Sequence, residues 1–259
     1  LPVTPPANAE PGSTFLHVAA SASMVGDLRA MRDWMAAYPY TCLEQRVSRA
    51  VVAGDRAAWD ALATGLPAAL DRDGLARYFP TMREGSDVLT AYLLSISAQR
   101  GWPLPADARQ AMVAGLQRFA QGGLARRSDA NAPDHSLRRV AALAALARQG
   151  QALEPGWLES LAVEPQRWPL ATLLDWMTVL DAVSAPRRDA WRREAASVLR
   201  ARVVLQGTTL GFVREPSERM GWLLGSPDAS AARLLLAAVD DPAWQDDLAR
   251  LARGLLGRQ

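Results

Sequence analysis

One stretch of this 259-residue chain carries residues whose types and spacing could do chemistry, and it reads Tyr38-Pro39-Tyr40-Thr41-Cys42-Leu43-Glu44-Gln45. Cys42 is the only cysteine, and Gln45 follows it by three positions. On a helical turn, residues three apart share a face, with Cβ atoms about 5–6 Å apart. The Cys42 sulfur can then reach the side-chain amide carbon of Gln45. Attack there, with loss of ammonia, gives an internal thioester. That bond is a stored electrophile, and it needs only a thiol and a carboxamide at this spacing. The chain holds 9 Glu and 11 Gln. Random placement of Glu two positions and Gln three positions after a single cysteine has a probability of about 0.0015, so the pattern is informative.

The elements around the motif decide how it is presented. Met24, Leu28, Met31 and Met35 form a helical stripe that Trp34 broadens, and Pro39 ends that helix. Residues 42–53 read as the next helix, which puts the motif at a helix N-terminus. Unsatisfied N–H groups there favour negative charge, including the oxyanion formed when a nucleophile attacks the acyl carbon. Tyr38, Tyr40 and Leu43 are the nearest side chains for excluding water, and ordinary packing explains them equally well. Glu44 points elsewhere on the turn. It suits capping of the helix or pairing with Arg46 or Arg49, with a role in transfer as the weaker alternative.

Apolar residues make up 49% of the chain and charged ones 22%, the proportions of a globular protein able to bury a core. The net charge of +2 gives no field that would point to nucleic acid. All 29 basic residues are arginine. A coding bias accounts for that, and a domain that stores a reactive acyl group would also gain from lacking amines of its own. A lone cysteine makes no intramolecular disulfide, so the redox compartment is unreadable. The sequence shows no secretory leader and no apolar run of 18 residues, and reads as a piece of a larger protein.

Residues 1–21 read as a proline-rich linker followed by a short strand from a preceding domain, with His17 as a structural residue. Residues 22–259 read as one helical domain. Helices are expected over 55–64, 67–78, 86–100, 106–120, 134–149, 155–162, 169–183, 186–201, 227–239 and 242–256. On the third of these, Val88, Leu89, Tyr92, Leu93 and Ile96 face inward. A polar loop covers 126–133, and the less regular segment 205–225 suits a small hairpin or an extended loop. Short connections make successive helices antiparallel neighbours, as an open solenoid or as an α/α toroid.

The Cys42-x-Glu44-Gln45 pattern behind its Tyr-Pro-Tyr lead is similar to the thioester motif of bacterial α2-macroglobulins, relatives of eukaryotic α2-macroglobulin and the complement thioester proteins. That family has Gly before the cysteine where this chain has Thr41. The segment Leu89-Thr90-Ala91-Tyr92 resembles the helix that follows the thioester helix in the family, and Trp222-Leu223-Leu224 with Ser226-Pro227-Asp228 is similar as well. The resemblance covers most of residues 22–259 and implies an all-α fold, an α/α toroid of six helical hairpins, here without its last hairpin.

The resemblance also implies a function. The domain would belong to a broad-spectrum protease inhibitor of bacterial defence, a single-turnover covalent trap rather than an enzyme. The Cys42–Gln45 thioester would pass its acyl group to lysine amines of the attacking protease, without a cofactor or metal. Neighbouring domains of the same chain would shield it. The full-length protein would be periplasmic and anchored as a lipoprotein, with a class A penicillin-binding protein as a further partner. In some complement relatives a downstream His takes the acyl group first. Ala132-Pro133-Asp134-His135 has a similar context, so His135 is the candidate here, with a solvent-facing first-turn residue as its plain alternative. Two rival readings stand beside this one. The first is a non-covalent helical scaffold that has lost the thioester. The second is a toroid glycosidase or prenyl-type enzyme using Asp240-Asp241 and Asp246-Asp247, although Asp241 before Pro242 is also a helix-cap signature.

Overall fold

The computed structural model describes residues 29–124, 135–212, 224 and 226–257. The expected linker and strand, residues Met24 and Leu28 of the first stripe, and the loop over 126–133 lie outside them.

Periodicity sorts the helices into two kinds. A helix apolar on all sides belongs inside, and one with a single stripe belongs outside. α5 (Asp87–Arg100), α7 (His135–Arg148) and α9 (Leu170–Ala182) are of the first kind, buried over most of their circumference. α10 (Arg188–Ala201) is of the second kind and buries Trp191, Ala195 and Leu199, four residues apart each time. α7 packs on α5, α6 (Ala106–Ala120) and α9, and α9 packs in turn on α10 and α11 (Pro227–Val239). Inner helices therefore succeed one another as direct neighbours, from α5 through α7 and α9 to α11, and α6 and α10 back them from one side. The described residues form an all-α fold of antiparallel helices with one two-stranded hairpin.

Ahead of these helices, α2 (Leu43–Ala53) packs on α1 (Arg29–Ala36), α3 (Arg56–Thr64) and α5. A short α4 (Leu66–Ala69), α8 (Pro155–Glu159) and the terminal α12 (Leu248–Leu256) complete the helices. Of the hairpin or extended loop expected from residue 205, a hairpin is present and starts two residues earlier, with β1 (Val203–Gln206) antiparallel to β2 (Thr209–Phe212) and Gln206 opposite Thr209. α12 lies on β2.

Three expectations on helix extent are corrected. The helix expected over 67–78 stops at Ala69, because Asp71 builds a turn instead. Its carboxylate accepts the N–H groups of Asp73 and Leu75 at 2.9 Å each and of Gly85 at 2.7 Å. Gly74, at φ 80°, lies so close to the Ala111 carbonyl that no Cβ fits. The helix over 155–162 ends at Glu159, and the one over 242–256 opens as a 3₁₀ turn, Pro242–Asp247, before α12. The stripe on α1 is also not a buried one, since Met31 is 46% exposed and Trp34 61%.

The core continues through both kinds of helix. Trp168, Trp176 and Trp191 stack edge-on between α9, α10 and the preceding turn, with centroids 5.7 and 5.6 Å apart. One charged pair is buried with them. Arg138 on α7 grips Asp87 on α5 through both guanidinium arms, Nε to Oδ2 at 2.9 Å, and both side chains are at most 6% exposed.

Two outcomes follow for stability. Asp87→Ala takes its carboxylate partner from the buried Arg138 guanidinium and is expected to cost about 3–5 kcal/mol, whereas Asp87→Leu with Arg138→Met restores much of it. Urea unfolding of the single and double variants measures both. A Cβ on Gly254 of α12 would run into the Leu210 carbonyl of β2. Gly254→Ala is therefore expected to lower stability by about 1–3 kcal/mol, read as a lower urea midpoint at unchanged slope.

Candidate functional site

The site is built on the first turn of α2. Cys42 is the N-cap, in extended backbone at φ −63° and ψ 162°. Its own N–H donates to Gln45 Oε1 at 3.2 Å, and the reciprocal half of this capping box sets the Cys42 side chain at the Gln45 backbone N–H. The Gln45 amide carbon, one bond from Oε1, is thereby folded back onto Cys42. Leu43 N–H donates to the Tyr78 carbonyl at 2.9 Å, and Arg46 N–H to the Cys42 carbonyl at 3.0 Å. Cys42 is only 5% exposed.

The Tyr-Pro-Tyr lead is lashed to the same helix. Arg49 Nη2 donates to the Tyr38 carbonyl at 2.6 Å and to the Tyr40 carbonyl at 3.1 Å. The rings of Tyr38 and Tyr40 lie 5.4 Å apart, and Trp34 adds a third ring 5.0 Å from Tyr38. Tyr38 is half-buried, while Tyr40 is 62% exposed. Thr41 stands where the resembling motif has glycine. Among the described non-glycine residues only Leu224 has a positive φ, so the backbone at Thr41 is not in the left-handed region that favours glycine.

Glu44 is not paired with Arg46 or Arg49 as expected. Arg49 is used by the two carbonyls, and Glu44 Oε1 instead accepts the Ser48 hydroxyl at 2.7 Å. Ser48 Oγ lies 2.7 Å from Tyr92 Oη on α5. Burial raises the Tyr92 hydroxyl above its usual range, the Ser48 hydrogen bond lowers it in part, and the charge of Glu44 raises it. Tyr78 is shifted the same way. Burial leads, a hydrogen bond with Ser86 opposes it, and Glu44, Cys42 and Asp87 each push it upward. Tyr78 thus stands within electrostatic reach of both Glu44 and Cys42.

Cys42, Glu44, Gln45, Tyr38 and Tyr40 therefore meet at the start of α2. His135 opens α7 and sets its ring edge-on to Phe119, with centroids 5.4 Å apart. Three residues of the neighbourhood had no assigned role in the sequence reading: Ser48, Tyr78 and Arg49 as a clamp. The i, i+4 spacing of Glu44 and Ser48 carries a signal for the first. Tyr78 fell within a misread helix.

One member of each acidic pair serves local structure. Asp241 caps the Pro242–Asp247 turn by accepting the Ala243 N–H at 2.9 Å. Asp247 is bound by Arg200 and by Arg250, and the Arg200 hydrogen bond leads in holding its carboxyl below the usual range. Asp240 and Asp241 also border a cavity of about 450 Å³ beside α9 and α11. Of its lining residues, Arg148 and Arg233 both donate to Asp175 (2.7 and 2.6 Å), and Arg192 pairs with Asp181. Among the described residues, no three of His, Cys, Asp and Glu gather in a way that could hold a metal ion.

No family model matches the chain, and no curated protein does. Solved structures do match. The cryo-EM structure of E. coli alpha-2-macroglobulin in its native conformation has 20% identity to this chain and a TM-score of 0.62 over 89% of it. A crystal structure of the native E. coli protein, spanning domain MG7 to the C-terminus, gives 20% and 0.63 over 90%. A Salmonella alpha-2-macroglobulin mutant gives 20% and 0.55 over 89%. This chain spans 15%, 38% and 16% of the lengths of those three chains. Over about nine-tenths of its length, it has the fold of one region of bacterial alpha-2-macroglobulin.

Proposed function

We propose that this chain is a thioester domain of the alpha-2-macroglobulin kind, and that Cys42 and Gln45 form its internal thioester. One observation carries the reading: in a fold shared with bacterial alpha-2-macroglobulins, the Gln45 side chain is folded back onto Cys42, with Oε1 3.2 Å from the Cys42 nitrogen. This brings the reacting carbon and sulfur into one capping box. The capping role is the ordinary explanation of such a box. It leaves unexplained why a cysteine, rather than Ser or Thr, occupies the cap. Burial of Cys42 keeps water from the stored bond.

In this reading the domain serves a protease inhibitor and works once. A lysine amine of the attacking protease adds to the Gln45 acyl carbon, and a C–N bond forms as the C–S bond breaks. Cys42 leaves as thiolate, and the protease is held by an amide. Thiolate is a good leaving group, so no metal or cofactor is required. His135, which packs on Phe119, remains the candidate to take the acyl group first, with direct transfer to amines as the alternative. The periplasmic setting, the lipoprotein anchor, the shielding domains and the penicillin-binding partner rest on the family resemblance alone.

The deciding measurement is the intact mass of freshly prepared protein before and after methylamine, with Cys42→Ala as control. The expected species is lighter than the sequence by one ammonia, gains a methylamide at Gln45, and frees one titratable thiol. A mass equal to the sequence, with Cys42 titratable from the start, would sink the reading. Glu found at position 45 would mean that the bond formed and was hydrolysed.

A further inference from the structure

We infer that the cavity between α9, α10 and α11 takes a short linear peptide with free termini, about three residues long. The inference stands apart from the Cys42–Gln45 reading and shares no residue with it. A volume of about 450 Å³ is that of a small-ligand site. Arg233 of α11 meets Asp175 of α9, and further along the two helices Asp240 and Asp181 border the same cavity. α9 and α11 therefore run side by side in one direction, with α10 as the third wall. Asp240 follows Arg233 by seven positions, about 10 Å at the helical rise, and that spacing keeps both on one face.

The charges divide between the two ends. At one end Arg148 and Arg233 both donate to Asp175 Oδ1, so two guanidiniums face one carboxylate. Arg148 is engaged further, with Ser95 Oγ at 3.2 Å and Thr178 Oγ1 at 3.3 Å. Arg233 spends only Nη2, and its Nε and Nη1 meet no acceptor among the described residues. This end is short of negative charge. At the other end stand Asp181, Asp240 and Asp241. Arg192 Nη1 lies 2.7 Å from Asp181, a contact of charges without the angle of a hydrogen bond. Asp241 caps the turn that follows it, and neither it nor Asp240 pairs with a cation among the described residues. This end is short of positive charge.

A ligand that answers both ends carries a carboxylate and an ammonium about 10 Å apart. A tripeptide with free termini has that span, at about 3.4 Å per residue. Its carboxylate meets the donors that Arg233 has left over, and its ammonium meets Asp240 and Asp241. Between the ends the walls are apolar, with Met177 on α9 and Ala237 and Leu236 on α11, the last 72% exposed. An apolar central side chain covers them. Gln99 adds a carboxamide that no described residue engages, able to donate and to accept as a peptide bond requires. That feature favours a peptide over an aliphatic zwitterion of equal length.

The test is calorimetric titration of the chain with the tripeptide Ala-Leu-Ala. Acetylating its amine or amidating its carboxylate is expected to weaken binding about tenfold each. An unbranched aminooctanoate, which keeps the two charges and lacks the peptide bonds, is expected to bind about tenfold more weakly as well. Arg233→Gln is expected to weaken the free peptide to the level of its amide and to leave the effect of acetylation intact. Asp240→Asn with Asp241→Asn, where Asn keeps the cap, is expected to do the reverse. No heat from the free tripeptide overturns the inference. Equal binding of the acetylated and amidated forms overturns it, because the two charged ends then play no part. Aminooctanoate binding as tightly as the peptide overturns the assignment to peptides. Circular dichroism reports folding. Should Arg233→Gln fail to fold, the double Asn variant decides, and undiminished discrimination against the acetylated peptide there overturns the inference.

Discussion

The first turn of a helix has backbone donors that no carbonyl of the helix can satisfy, and this constraint shapes the whole neighbourhood of Cys42. A Ser, Thr or Asp at the cap is the common solution, as Asp55 and Ser86 show on α3 and α5. α2 has none of these. It satisfies its first turn by sending Leu43 N–H to a loop carbonyl and folding Gln45 back to take the Cys42 N–H. The geometry that a thioester needs is therefore obtained from the geometry of a cap. A Glu at position 45 would complete the same box. Hydrolysis of the bond would thus leave the helix capped, and folding alone does not select Gln over Glu there. Under the proposed reading, the requirement for Gln belongs to the chemistry.

That cap depends on a loop held just as firmly. Tyr78 offers its carbonyl to Leu43 only because the segment from Leu70 to Ser86 is fixed at both ends. Asp71 gathers three N–H groups. Thr90 of α5 accepts the Ala76 N–H at 2.8 Å and donates to the Ser86 carbonyl at 2.6 Å. Arg77 donates to the carbonyls of Ala68, Ala69, Pro80 and Met82. These side chains replace the backbone ladder that a helix would have supplied. Each is polar and locally ambiguous, which is why the sequence reading placed a helix here. The carbonyl count of an arginine cannot be read from its neighbours in sequence.

Other features were legible for clear reasons. The ends of α5, α6 and α7 follow from a Ser cap, Gly101, Gly122 and Gly150, which act over a few residues. The Cys42–Gln45 juxtaposition was legible because a spacing of three fixes it locally. The Glu44–Ser48–Tyr92 chain was only half legible: Ser48 is one helical turn from Glu44, but Tyr92 comes from a helix 44 residues further on. Likewise Tyr92 looked like a core residue from its position on α5. It is one over its ring, while its hydroxyl finds a polar partner, as buried tyrosines usually do. The exposed face of α1 was misread because periodicity reports an apolar stripe, not what covers it.

The inner helices are equally informative. Their most buried carboxylates are held by arginines: Asp87 with Arg138 between α5 and α7, and Asp175 with Arg148 and Arg233 between α7, α9 and α11. Breaking such pairs leaves buried charge, so they fix the register between neighbouring helices. The first turn of α2 is different. Its sulfur and carboxamide are uncharged and can be buried without the penalty an ion would meet. Its one carboxylate is bound by a hydroxyl rather than a guanidinium. Under the proposed reading, inner helices whose buried carboxylates are held by arginines, with the uncharged Cys42 and Gln45 side chains at one helix terminus, are the division of labour that a stored electrophile would require.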